Sequence, residues 1–395
     1  MHKLRLTLGT LLTIAIAITM SGVDNLHAQG NPNRVIVTFD ENVVNETAQA
    51  SLEKVGGVVV RLLPSVNGAV VVLPDHASEK ALKGSLGILR VEEDVVVYAT
   101  KRGEGKPPSD NVQPPQVLDW GVDRIDAELS PNTGAGIKVA VIDSGIDMDH
   151  PDLIANLKGG VNFVSKGRLA ADPNKWDDDN GHGTHVAGTI AATNNEIGVV
   201  GVAPNTELYA VKSLDSRGNG YLSDIIAGLE WAVANDMDVV NMSLGTTSDI
   251  QAFHDAIDAA YSAGVVLVAA AGNSGDGDPN TNNVEYPAKY SSVIAVGATD
   301  VADNSPYWSS EGVEVEVSAP GVNILSTYKG GSYTTLSGTS MASPHVTGVI
   351  ALLLESNPLL TPVQVRTTLQ TTANDLGDIG HDNVYGYGLV DALLQ

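Results

Sequence analysis

A carboxylate, an imidazole and a hydroxyl stand out in this chain because each falls where a predicted element ends or begins. Asp143 follows the apolar run Val139-Ala140-Val141-Ile142, at the carboxyl end of a predicted strand and within Asp143-Ser144-Gly145-Ile146-Asp147. His182 lies in Gly181-His182-Gly183-Thr184-His185-Val186-Ala187-Gly188, whose small residues let a helix begin close against its neighbours. Ser340 lies in Gly338-Thr339-Ser340-Met341-Ala342-Ser343-Pro344-His345, which enters an apolar helix over residues 346–354. A serine hydroxyl is a poor nucleophile at neutral pH. It needs an imidazole to take its proton and a buried carboxylate to orient that imidazole and stabilise its charged form. Singly, Asp143 reads as a turn former and the other two as helix caps. Together, in glycine-rich surroundings, they read as the groups for acyl transfer through a serine.

Such groups need a scaffold that brings three distant stretches together. Beyond Gln116, strand candidates at 137–142, 207–211, 238–242, 265–270 and 293–296 alternate with helix candidates at 223–235, 250–263, 341–354 and 362–369. That is the pattern of an α/β fold, a parallel sheet with helices on both faces. In open sheets of this kind reactive groups collect beyond the carboxyl ends of the strands. Residues 116–395 therefore read as the domain that carries the chemistry. Before it, the runs Val35-Ile36-Val37, Val58-Val59-Val60, Val70-Val71-Val72 and Val95-Val96-Val97, with helical stretches near 46–54 and 78–86, predict a small α+β domain over 33–98. Residues 99–115, rich in Gly, Pro and charge, read as a linker. Residues 1–28 read as an export signal, with Lys3 and Arg5 ahead of an uncharged run over 8–20 and Ala28 as the cleavage point.

Composition narrows the partners. The formal charge is −25, and residues before Gln116 hold 11 basic and 12 acidic side chains against 11 and 35 after it. A surface this acidic repels nucleic acid. It suits either a well-solvated secreted protein or local carboxylate clusters that bind cations. No later stretch approaches transmembrane length, so a product released from the cell, without a membrane partner, is expected. There is no cysteine, so an exported form relies on a large core or bound metal rather than disulfides.

The three motifs resemble those of the subtilisin family, whose triad runs in the chain order Asp, His, Ser. The resemblance covers essentially everything after Gln116. It implies a serine endopeptidase in which Asp143 orients, His182 serves as general base and then acid, and Ser340 attacks, with His185 and His345 packing beside the site. In Ala269-Ala270-Ala271-Gly272-Asn273-Ser274-Gly275 it assigns Asn273 to the oxyanion hole, alongside the Ser340 N–H. It places the substrate on Ser243-Leu244-Gly245 and Gly272, an extended pairing that implies broad specificity. Glu285, in Val284-Glu285-Tyr286-Pro287, falls where many relatives carry a small residue at the base of the pocket before the scissile bond; it reads either as a selector for Lys or Arg or as a solvated loop carboxylate.

The family binds structural Ca²⁺. The resemblance implies a site from the side chains of Gln116, Asp152 and Asn195 with the carbonyls of Thr193, Ile197 and Val199, all hard oxygen ligands. Asp172 and Asp177-Asp178-Asp179-Asn180 read either as a second cation site or as a solvated loop. Residues 33–98 resemble the family's propeptide, an intramolecular inhibitor that assists folding, and the mature enzyme is expected to act as a monomer on proteins and peptides. Two other enzyme classes fit less well: the metal-binding H-E-x-x-H is absent, and Ala342 breaks the G-x-S-x-G of lipases and esterases. A non-catalytic homologue is the remaining alternative, against which all the catalytic residue types are present.

Overall fold

A computed structural model describes residues 33–41, 45–101, 113–164 and 172–393. The expected export signal and most of the 99–115 linker lie outside the described residues.

The N-terminal module runs β1 (Asn33–Phe39), α1 (Asn45–Lys54), β2 (Val58–Leu63), β3 (Gly68–Leu73), α2 (His76–Leu82), β4 (Ile88–Glu93) and β5 (Val96–Ala99). β1 to β4 form an antiparallel sheet in the order β2-β3-β1-β4. The period-2 alternation of its strands sorts side chains between two cores. Val35, Val37, Val71 and Leu73 fill the module's own core with Leu52 and Leu82. Ile36 and Val70 point the other way, into a cluster shared with the larger unit.

That larger unit contains α3 (Trp120–Arg124), β6 (Lys138–Asp143), β7 (Leu157–Asn162), α4 (His182–Ala191), β8 (Glu207–Lys212), β9 (Asn219–Tyr221), α5 (Leu222–Ala234), β10 (Val239–Met242), β11 (Leu244–Gly245), α6 (Gln251–Ser262), β12 (Val266–Ala270), β13 (Ile294–Thr299), β14 (Val315–Pro320), β15 (Ile324–Tyr328), β16 (Ser332–Leu336), α7 (Thr339–Ser356) and α8 (Pro362–Thr372). A seven-stranded parallel sheet has the order β14-β13-β12-β10-β6-β8-β7. Chain order reverses around β6, and a cleft opens there at the carboxyl ends of the strands. Val139 and Val141 face the core that holds α4 and α7, whereas Ala140 and Ile142 face the core that holds α5 and α6. The expected α/β class and the preceding small α+β module are both present.

Several strands were not visible as apolar runs, among them β7, β14 and β4. β7 reads Leu-Lys-Gly-Gly-Val-Asn, and β14 begins Val-Glu-Val yet is buried throughout, with Glu316 neutralised by Arg366. β4 precedes β5 as a separate strand, so the expected strand at 95–97 belongs to a second sheet. The helix expected over 78–86 starts and stops earlier, capped by Asp75 on the Ser78 N–H.

The module docks on α5 and α6 largely through carboxylates. Helix starts leave N–H groups unpaired, and neither Tyr221 nor Ile250, the residues preceding α5 and α6, offers a side-chain cap. Asp94 of the module accepts from Ser223 N at 2.9 Å and Ser223 Oγ at 2.7 Å, while Glu92 accepts from Gln251 N at 2.8 Å and Ala252 N at 3.2 Å. In return Glu230 on α5 accepts from Ser65 N at 2.8 Å. Asp94 is 4% exposed and paired with Arg34, itself 6% exposed. Removing one partner of a buried pair leaves the other charge uncompensated and costs about 3–5 kcal/mol, against about 1 kcal/mol for an ordinary cap. In a full-length chain kept intact by Ser340→Ala, Asp94→Ala should therefore lower the thermal midpoint clearly more than Glu92→Ala, as read by calorimetry. Equal small shifts would show that the buried pair contributes no more than a cap.

Candidate active site

Asp143 is the last residue of β6 and His182 the first of α4. Their approach depends on Gly183, where an added Cβ would lie 2.1 Å from Gly145 O and 3.1 Å from the Asp143 Cβ. The His182 Nδ1 sits 2.8 Å from Asp143 Oδ1 and 2.9 Å from Oδ2, both side chains being fully buried. This fixes the ring and turns Nε2 toward the cleft, where it has no hydrogen-bond partner among the described residues.

Ser340 is the second residue of α7. Its hydroxyl is engaged by the strand that leaves the N-terminal module: Oγ is hydrogen-bonded to Thr100 O, 2.7 Å from Thr100 Oγ1 and 3.0 Å from Ser243 O. The Ser340 N–H also points at Thr100 O, at 3.4 Å. Asn273 Oδ1 accepts from Thr339 N at 3.0 Å and from Thr339 Oγ1 at 3.1 Å. That orientation leaves the Asn273 Nδ2 in the cleft, buried and without a partner among the described residues. Both Thr100 O and Asn273 Nδ2 border Gly338, within 2.7 and 3.3 Å of where its Cβ would stand.

Residues 96–100 lie in the cleft as an extended strand. β5 is the middle strand of three, with Leu244 opposite Ala99 and Gly245 opposite Tyr98 on one side, and Tyr221, Gly220 and Asn219 opposite Val96, Val97 and Tyr98 on the other. Thr100 N donates to Ser243 O at 3.2 Å, extending the ladder to the nucleophile. Ser243, Leu244 and Gly245 thus pair with the extended backbone of residues 98–100. Gly245, Gly272 and Glu285 meet beside Thr100. A Cβ on Gly245 would lie 2.3 Å from Glu285 Oε2 and 3.3 Å from the Thr100 methyl, and one on Gly272 would lie 2.8 Å from Glu285 Cδ. Glu285 accepts from Ser274 Oγ at 2.8 Å, and burial raises its pKa above the ordinary glutamate value despite that bond.

His185 and His345 are wholly buried and hold backbone carbonyls: His185 Nε2 lies 3.1 Å from Ile324 O, and His345 Nδ1 lies 2.8 Å from Met341 O. Burial lowers their pKa values to about 3 and about 4, which keeps both neutral near pH 7.

The acidic run before His182 works as an anchor. Asp178 Oδ1 accepts from Ser144 Oγ, Asn180 N and Gly181 N, and Oδ2 accepts from Thr184 N and Oγ1. Asp179 pairs with the buried Lys212 at 2.6 Å. These bonds pin the start of α4.

The other cation candidates do converge. Asp152 Oδ1 accepts from Asn195 Nδ2 at 2.7 Å and Oδ2 from Val199 N at 3.0 Å; Asn195 Oδ1 accepts from Ile197 N at 2.6 Å, and Gln116 Oε1 from Asn195 N at 2.6 Å. The carbonyls of Glu196 and Gly198 are taken by the N–H groups of Gln116 and Val117. The N–H groups of Ile197 and Val199 point instead to the side-chain oxygens of Asn195 and Asp152. Thr193 is tied to Asp152 O through its N–H at 2.9 Å. Among the described residues no three His, Cys, Asp or Glu side chains share a place suited to a metal ion. A cation in this loop would rest on one carboxylate with amide and carbonyl oxygens.

Sequence reasoning did not single out Thr100. It also missed the contacts of Arg61 and Arg34 with Asp224, between residues more than 160 positions apart, for which no local pattern exists.

Comparison with known proteins agrees with this architecture. Residues 134–388 match the subtilase family, peptidase S8. The chain is 42% identical to subtilisin E of Bacillus subtilis (strain 168), covering 99% of this chain and 98% of that protein. It is 41% identical to subtilisin J of Geobacillus stearothermophilus over the same shares, and 50% identical to a subtilisin of Bacillus pumilus over 70% of this chain and 98% of the relative. The chain belongs to the subtilase family. Its activity is that of a subtilisin-type serine endopeptidase.

Proposed function

We propose that this chain is the precursor of a secreted, monomeric endopeptidase of broad specificity that frees itself from residues 33–100 by cutting Thr100–Lys101. One observation carries the reading: the Thr100 carbonyl is held by both the hydroxyl and the N–H of Ser340, at the end of a strand paired on both edges. A peptide substrate would enter by the same main-chain pairing, which reads an extended shape more than a sequence.

In this mechanism the Ser340 hydroxyl turns from Thr100 toward His182 Nε2, which takes its proton as Oγ attacks the carbonyl carbon. Asp143 holds the ring and stabilises its charge. The developing oxyanion is met by the Ser340 N–H and Asn273 Nδ2, a donor with no other hydrogen-bond partner among the described residues. His182 then passes the proton to the leaving amine of Lys101, and water hydrolyses the acyl-enzyme. Cleavage leaves the N-terminal module bound through its strand in the cleft and its contacts with α5 and α6, which makes it an inhibitor until it departs. Among the described residues no helix is long and apolar enough to cross a membrane. Export would use residues 1–28.

Mass spectrometry of the secreted wild type beside a Ser340→Ala form tests the scheme. The wild type should show a new N-terminus at Lys101, and the Ser340→Ala chain should keep residues 33–100 attached. Identical maturation of both would assign the cut to another protease.

Glu285 would select basic side chains before the scissile bond, a reading supported by its carboxylate lying against Gly245 and Gly272 beside Thr100. Peptides with Lys or Arg there should be cut better than those with Leu, by on the order of tenfold, and Glu285→Gln should erase the difference. Because burial raises the Glu285 pKa, the carboxylate is charged above that value and neutral below it. The Lys-to-Leu ratio of kcat/KM should therefore fall on acidification already above the ordinary glutamate range; a flat ratio would show that Glu285 does not face the substrate.

Calcium fits the all-oxygen loop around Asp152, with Gln116, Asn195 and the carbonyls of Thr193, Ile197 and Val199 as its ligands. It would clamp the segment near Gln116 to the main body. Chelation should lower the thermal midpoint of the mature enzyme, and calcium alone should restore it; an unchanged midpoint would count against the site.

A further inference from the structure

Arg61 of the N-terminal module is held by a built guanidinium site on the larger unit. Its Nη1 donates to Asp224 Oδ1 at 2.7 Å and Ser223 O at 3.5 Å, and its Nη2 donates to Phe163 O at 3.0 Å. Its guanidinium carbon lies 5.3 Å from the centroid of the Phe163 ring. Three kinds of recognition therefore converge: a carboxylate, backbone carbonyls and an aromatic face. Asp224 is 1% exposed, so its charge is withdrawn from water and depends on a cation. Among the described residues two are supplied, Arg61 and, at 3.7 Å from the same oxygen, Arg34. Both precede Lys101, so both leave when the module leaves. Glu230, six residues further along α5, meets the same module at Ser65 and adds negative charge to the docking surface.

The position relative to the cleft gives this site a second use. Counting back from Thr100, the residue before the scissile bond, Asp94 is the seventh, and its carboxylate rests on Ser223 N and Oγ, next to Asp224. The strand between is fixed to the enzyme, with Leu222 N donating to Val95 O at 2.9 Å. A substrate bound in the same register brings its own seventh residue to this place. In the precursor the acid there is neutralised by Arg34; a substrate carries no such partner.

We propose that the leader-free enzyme uses Asp224, the carbonyls of Ser223 and Phe163 and the Phe163 ring as a subsite for a basic side chain, arginine above lysine, seven residues upstream of the scissile bond. The proposal deepens the endopeptidase reading and rests on it. Arginine is favoured because its planar fork can serve several acceptors and a ring face at once, which a lysine ammonium does not.

The test uses the mature wild-type enzyme and quenched peptides identical except for Arg, Lys, Ala or Glu at the seventh position. A short substrate ending four residues upstream of the scissile bond accompanies them. Arg should lower KM relative to Ala about three- to tenfold with kcat unchanged, Lys should fall between, and the gap should narrow in 1 M salt. In Asp224→Asn the Arg-to-Ala ratio, taken within that protein, should approach 1. Equal KM values for Arg and Ala in the wild type would overturn the subsite, whether or not the variant folds. A preference for Glu would do so too, by showing that the exposed start of α5 governs the position. An Arg advantage surviving in Asp224→Asn would move the recognition elsewhere. Failure to hydrolyse the short substrate would sink the endopeptidase reading itself, and so separates the two.

Discussion

The main-chain ladder along residues 96–100 is the constraint on which the rest of this molecule turns. Two backbone edges, one beyond β10 and one ahead of α5, stand one strand-width apart on each side of β5. Any extended segment that fills the gap satisfies both and arrives at Ser340 with a carbonyl in place. The sheet supplies the edges, since β6 and β10 are neighbours whose carboxyl ends carry Asp143 and the Ser243–Gly245 segment. The helices supply the groups that must not move, His182 and Ser340 at the starts of α4 and α7. Chemistry and recognition thus draw on one geometric arrangement.

Electrostatics divides the same surface between permanent and temporary partners. Asp178, which is buried, is satisfied by groups of the larger unit itself. Asp224 and the starts of α5 and α6 are satisfied by the N-terminal module. The distinction follows burial: a carboxylate sealed inside one unit needs internal partners, whereas one at a docking face can borrow them.

Much of this was legible in the sequence because the decisive positions are local. An acid after an apolar run, a histidine between glycines and a serine entering an apolar helix each announce a strand end or helix start, and the alternation of runs announces a parallel sheet. The substrate edge, Gly272 and Glu285 came from motif likeness, and the fold gathers them around one residue, Thr100. What stayed hidden was non-local or depended on charge in apolar company. β14 hides because Glu316 interrupts its pattern while Arg366 makes its burial tolerable. The Asp177–Asp179 run looked like a cation cluster because sequence does not show which N–H groups will turn toward a carboxylate. The Arg61 site is assembled from residues more than 100 positions apart in the chain and could be seen only once they met.

The borrowed caps of α5 and α6 carry a thermodynamic implication. On the maturation proposed above, departure of the module would take Asp94 and Glu92 with it, and the remaining protein would keep a shape whose two helix starts were completed by something no longer attached. Its slow-forming parallel sheet would have to be rebuilt without that template if it ever came apart. Endurance of the released form is then a matter of how seldom it opens, a lifetime set by a barrier rather than a balance between folded and unfolded populations.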